Sequence, residues 1–92
     1  MSIRQVETVN FTDFTILRIL EHENEIEVSK LYYRFVVYRP ISYTAFKNHL
    51  RKLDKQGYVK IIIEKRAMQR VRITDDGKKL LDVMREFLTT PK

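Results

Sequence analysis

Between Ser42 and Gln56 the chain carries Tyr43, Thr44, Lys47, Asn48, Arg51, Lys52 and Lys55. On a helix turning 100° per residue, Thr44, Asn48, Arg51, Lys52 and Lys55 share one face, with Tyr43 and Lys47 on its flanks. Each of these side chains can donate a hydrogen bond or carries positive charge. The amide of Asn48 both donates and accepts, and the ammonium and guanidinium groups can neutralise anions. A surface helix selected only for solubility would normally mix in Asp or Glu at i to i+4 spacing. Here the one acid is Asp54, toward the C-terminal end. The chemistry this face can perform is recognition of a polyanion.

The charge distribution agrees. The net charge is +6, but from Arg39 to Arg72 there are ten Lys or Arg against two acids, whereas the remainder has eight against ten. Positive charge concentrated in one third of a chain is the electrostatic footprint of a nucleic-acid binder.

Composition excludes several alternatives. Ninety-two residues suit one domain, and 43% apolar with 33% charged residues describes a globular chain and not a disordered one. There is no cysteine, which rules out disulfides and thiolate metal sites. No apolar run approaches the roughly 20 residues needed to span a bilayer. The segment Met1–Glu7 has no continuous apolar core of a signal peptide, so a cytoplasmic protein with no membrane association is expected. Catalysis lacks parts: neither His22 nor His49 has a Ser or Asp constellation at a recognised spacing. The only glycines, Gly57 and Gly77, are too far apart to form a phosphate loop. The run Glu21–Glu27 holds four carboxylates and a histidine, but it reads as a solvated loop and not as a metal site. No enzyme, cofactor or metal is expected.

The elements that must position the basic face follow from periodicity. Residues 1–10 are left open as an N-terminal arm. A first helix begins near Thr12, with Thr12 as cap, Asp13 favouring the helix dipole and Phe11 stapled to Ile16. Phe14, Ile16, Leu17 and Leu20 form its buried stripe. Ile26 and Val28 suit a brief strand. Val28 or Ser29 starts a second helix, with Ser29 placed to cap it, and Leu31, Tyr32, Phe35 and Val36 face inward. Its tyrosines Tyr32, Tyr33 and Tyr38 read as core or dimer packing. Pro40 ends the connection, so Val36–Ile41 is a turn. Ser42 caps the third helix, whose inward stripe is Phe46, Leu50 and Leu53, with His49 as a packing residue at its edge. Gly57 stops it in a left-handed conformation. Tyr58–Ile63 and Val71–Ile73 are strands joined by a long tip, Glu64–Arg70. Thr74 caps a last helix, lined by Leu80, Leu81, Met84, Phe87 and Leu88. That stripe is broad for so small a domain, so Leu81, Met84, Phe87 and Leu88 are expected to meet a second copy.

The order helix, glycine stop, strand, charged turn, strand, helix cap predicts an α+β winged helix-turn-helix. It divides into an arm (1–10), a three-helix core (12–57), a wing hairpin (58–73) and a terminal helix (74–90). The pattern Leu50-x-x-Leu53-x-x-x-Gly57-Tyr58-Val59, followed by Arg72-Ile73-Thr74-x-x-Gly77-x-x-Leu80, resembles winged-helix transcriptional regulators of the MarR and PadR type. Small archaeal and archaeal-virus members are most similar in size. The resemblance implies a homodimer that regulates transcription, with residues 42–56 in the DNA major groove and the wing tip on an adjacent minor groove or backbone. Compared with full MarR proteins, the chain is expected to lack the long extra terminal helices that help build their ligand pocket, and whether a small-molecule effector binds is left open.

In residue terms, Tyr43, Thr44, Lys47 and Asn48 would read bases of double-stranded DNA. Ser29, Lys30, Arg51, Lys52, Lys55, Lys65, Arg66 and Arg70 would hold its backbone. The rival reading is a winged-helix adaptor for protein–protein contact, which would favour apolar anchors on the outer helix face. RNA ranks third, because the narrow A-form major groove excludes a reading helix.

Overall fold

Leu17, Leu20, Leu31, Phe35, Phe46, Leu50, Leu53 and Leu81 are all at or below 1% exposure, and they come from four different helices. Their convergence is what builds the domain, since burying each such side chain contributes about 1.5–3 kcal/mol. The computed structural model describes residues 11–64 and 68–89, with the backbone alone at 88 and 89. Its helices are α1 (Phe11–Glu23), α2 (Val28–Val36), α3 (Tyr43–Lys55) and α4 (Asp75–Thr89). Strands β1 (Glu25–Glu27), β2 (Val59–Ile63) and β3 (Gln69–Ile73) form an antiparallel sheet in the order β1-β3-β2. In register, Val59 faces Ile73, Lys60 faces Arg72 and Ile61 faces Val71. On the other edge of β3, Ile26 lies opposite Val71. Val59, Val71, Ile73 and Ile26 are buried against the helices, so one face of the sheet closes the core. This is a winged helix-turn-helix of the α+β class.

Local chemistry explains the joints. The Ser42 hydroxyl caps α3 by accepting from the Ala45 amide at 3.1 Å. Gly57 ends the turn after α3 with φ +87°, the left-handed region glycine occupies without steric cost. The Thr74 hydroxyl does two jobs. It donates to the Gly57 carbonyl at 2.6 Å and accepts from the Gly77 amide at 3.0 Å, which caps α4 and ties it to the end of α3. The one acid of α3 serves the same corner, because the Ile61 amide of β2 donates to the Asp54 carboxylate over a long 3.4 Å contact.

Several expectations are corrected. Thr12 lies inside α1, not at its boundary, and it is buried. Phe11 makes no staple: it is exposed and stacks on Phe14, while Ile16 goes to the core. Ser29 does not cap α2, which starts at Val28 with Glu27 before it and no side-chain cap bond. Strand β3 begins at Gln69, two residues earlier than expected, because Gln69 pairs with Ile63 of β2 and Arg70 pairs with both Ile62 of β2 and Glu27 of β1. Tyr33 and Tyr38 are exposed and not core, whereas Tyr32 packs against the core. The broad stripe of α4 separates into two. Leu81 and Met84 are buried within the single chain and cannot meet a second copy, whereas Val83 and Phe87, on another face, are exposed. Helix α4 packs against α1, and Leu81 and Met84 belong to the core that the helices share. The side chain of Leu88, the wing residues Lys65 and Arg66, and the arm 1–10 lie outside the described residues.

The two glycines differ in what fixes them. A Cβ at Gly77 would stand 2.1 Å from the Tyr58 carbonyl oxygen and 2.8 Å from Ile73, whereas one at Gly57 meets nothing within 4 Å. Gly77→Ala is therefore expected to lose about 3 kcal/mol or more through steric displacement of fixed backbone. Gly57→Ala should lose only the left-handed strain of about 1–2 kcal/mol. Urea denaturation of both variants checks the order; equal losses would contradict it.

Candidate nucleic-acid interface

The rotation of α3 is set from inside. Phe46, Leu50 and Leu53 are essentially inaccessible, so the residues on the opposite side of the helix face solvent. Thr44, Asn48, Arg51, Lys52 and Lys55 are exposed, Tyr43 is 41% exposed, and Lys47 is half-buried on the flank. The face read from the sequence therefore exists as a surface. Among the described residues, no ion pair links Arg51, Lys52 or Lys55 to a carboxylate within 4 Å.

Within this face one contact alters the reading of Asn48. The Arg51 guanidinium donates to the Asn48 side-chain oxygen at 3.0 Å, one helical turn away. The Asn48 amide nitrogen remains available to donate, and its oxygen, which has two lone pairs, keeps one acceptor site while it holds Arg51. The two residues thus act as a pair. At the other end of the face, Lys47 lies over the Tyr43 ring with its ammonium 5.6 Å from the centroid.

Other site residues are placed differently from one another. Ser29 and Lys30 are exposed at the start of α2. Arg70 sits in β3, not in the wing tip, and its Nε donates to Glu25 of β1 at 2.9 Å. Part of its charge is therefore already offset. The acidic run is not a plain solvated loop either: Glu21 pairs with Arg85, Glu23 with Arg34 and Glu25 with Arg70. These pairs join the α1–β1 connection to α4, α2 and β3. Two cations were missed. Lys60 and Arg72 are exposed and stand directly opposite each other on β2 and β3. Like charges in that position oppose pairing. Strand alternation was the available signal, since both alternate with the buried Val59, Val71 and Ile73.

Two solved structures share this architecture. BpsR of Bordetella bronchiseptica, described as a protein whose DNA binding is regulated by 6-hydroxynicotinic acid, superposes with a TM-score of 0.72 at 16% identity. That match covers 86% of this chain and 54% of BpsR, so the chain spans about half that protein's length. F-93 of SSV1 superposes with a TM-score of 0.67 at 21% identity, over 89% of this chain and 94% of that one. No family model and no curated protein matches the chain. At these identities the likeness establishes the fold.

Beneath α3 lies a titratable contact. Asp13 lies in the first turn of α1, as expected of a dipole residue, but it is also buried at 3% exposure and faces His49, whose Nδ1 is 3.8 Å from its carboxylate. Burial raises the Asp13 pKa above its ordinary 3.8, and the nearby charges of Lys52 and His49 oppose that rise. A raised folded value means the folded state holds the proton more tightly than the unfolded chain. The contribution of this group to stability is then fully present below 3.8 and is lost as pH rises through the folded value. Asp13→Asn, which keeps the neutral form at every pH, should gain stability relative to the parent as pH rises from about 3 to about 6. Chemical denaturation across that range measures the difference; a parent that gains on the variant with rising pH would contradict this account.

Proposed function

We propose that the protein is a transcription regulator that binds double-stranded DNA with sequence preference, as a homodimer. Helix α3 enters the major groove, and the wing tip, residues 64–68, lies on the backbone or the adjacent minor groove. The observation that carries this reading is the outer face of α3: exposed amide, hydroxyl and cationic groups, with its one carboxylate turned to β2. Tyr43, Thr44, Lys47 and Asn48 would lie near base edges. Asn can pair with adenine, Lys with guanine, and Thr or the Tyr ring can touch a thymine methyl. Arg51, Lys52 and Lys55, with Ser29 and Lys30 at the start of α2, would hold phosphates. Lys65, Arg66 and Arg70 would serve the wing. The fold shared with BpsR, whose DNA binding is regulated by 6-hydroxynicotinic acid, supports the same partner.

A second copy would dock through the exposed Val83 and Phe87 of α4, replacing the buried Leu81 and Met84 in that role. Two reading helices related by a twofold axis would then sit about 34 Å apart, or a multiple of that, on a near-palindromic site.

Two substitutions separate the tiers. After selection of a preferred duplex from a random pool, Asn48→Ala should lose about 1–3 kcal/mol of its preference for that duplex over a scrambled one. Lys55→Ala should weaken both duplexes alike and make the slope of log affinity against log salt shallower by about one. Fluorescence anisotropy at several salt concentrations reads both effects. An Asn48→Ala variant that discriminates as the parent does would remove α3 as the reader.

A further inference from the structure

An unbroken series of ring contacts runs from the core of the protein to the ammonium of Lys47. Phe35 and Phe46 are fully buried, with centroids 5.2 Å apart. Tyr32 follows at 5.3 Å from Phe46, and it meets Tyr43 edge to face at 5.1 Å with an interplanar angle of 73°. Lys47 completes the series over Tyr43 at 5.6 Å. Tyr32 is also fixed from its other end. Its hydroxyl donates to the Ile41 carbonyl at 2.8 Å, in the turn that precedes the Ser42 cap. One residue of α2 therefore grips both the turn that launches α3 and the first ring of α3.

From this geometry we infer that Tyr43 is a platform that holds the Lys47 ammonium in place, and that Tyr32 is the positioning residue that braces it. The inference rests on the reading of α3 as the DNA-facing helix, and it reassigns Tyr43 from a base reader to a support. Lysine has a flexible four-carbon stem, and a free ammonium samples many positions. A ring face beneath it narrows that range before any partner arrives, because the ring quadrupole attracts the cation. Edge-to-face contact with Tyr32 fixes the ring in turn. Among the described residues Lys47 has no carboxylate partner, so the ring is what restrains it. The Tyr43 hydroxyl has no part in this arrangement; the ring does.

The test separates ring from hydroxyl. In the free protein, side-chain proton shifts of Lys47 should show an upfield ring-current displacement that Tyr43→Phe retains and Tyr43→Leu abolishes. This readout needs no DNA, so it judges the platform even if the DNA reading fails. With a selected duplex, Tyr43→Phe should keep the parent's preference over a scrambled duplex. Tyr43→Leu should lose about two- to fivefold of it, the scale of an exposed cation–π contact. Lys47→Ala should lose at least as much, and the Tyr43→Leu/Lys47→Ala double variant no more than Lys47→Ala alone. Tyr32→Phe, which removes only the bond to Ile41, should reduce the ring-current displacement and the preference together. A Tyr43→Phe variant that loses preference as Tyr43→Leu does would overturn the inference in favour of direct reading by the hydroxyl. Additive losses in the double variant, or an unshifted Lys47 in the parent, would overturn it as well.

Discussion

The inner stripe of α3 constrains everything else. Phe46, Leu50 and Leu53 are each at or below 1% exposure; the helix packs on α1 and β2, and Phe46 meets Phe35 of α2. A rotation of α3 by one residue, 100°, would expose this stripe and bury polar and charged groups without partners. Each buried side chain contributes about 1.5–3 kcal/mol, so the helix has one stable rotation. That rotation is what turns Thr44, Asn48, Arg51, Lys52 and Lys55 outward together. The surface chemistry of the helix is a consequence of its packing.

The charges off α3 are arranged differently. Arg34, Arg70 and Arg85 meet Glu23, Glu25 and Glu21, and these pairs bind the α1–β1 connection to three neighbouring elements. Exposed pairs of this kind stabilise little individually. Their larger effect is on the field: acids offset arginines away from α3, while among the described residues no carboxylate lies within 4 Å of Arg51, Lys52 or Lys55. Asp54, the exception in sequence, contacts the Ile61 amide of β2. The local positive balance legible in residues 39–72 therefore becomes a positive helix face, with the exposed Lys60 and Arg72 adding cations on β2 and β3. Aromatic packing adds order to one end of it, through Tyr32 and Tyr43.

Much of this was legible from residue order. Period-3.6 stripes marked all four helices, Gly57 and Thr74 marked the joints around the hairpin, and β-branched runs marked β2 and β3. Those signals are local, and their physics does not depend on the rest of the chain. What was not legible depended on tertiary contact. The α4 stripe looked too wide for one core because sequence spacing merges two faces, and only the packing of α1 on α4 separates Leu81 and Met84 from Val83 and Phe87. Asp13 looked like a dipole residue, yet α3 covers it and brings His49 to 3.8 Å. The acidic run looked solvated because its arginine partners lie 11, 45 and 64 positions away. Of the interface, the outer face of α3 was readable, whereas the Asn48–Arg51 pair and the exposed Lys60 and Arg72 required the folded register.

We propose, above all, that the outer face of α3 meets DNA. The most direct measurement is an amide chemical-shift map of the protein titrated with a selected duplex. The largest shifts should fall on Thr44, Lys47, Asn48 and Arg51, with smaller ones at Ser29 and Lys30. Shifts confined to α4 and the β1 edge, with α3 unmoved at saturation, would contradict it.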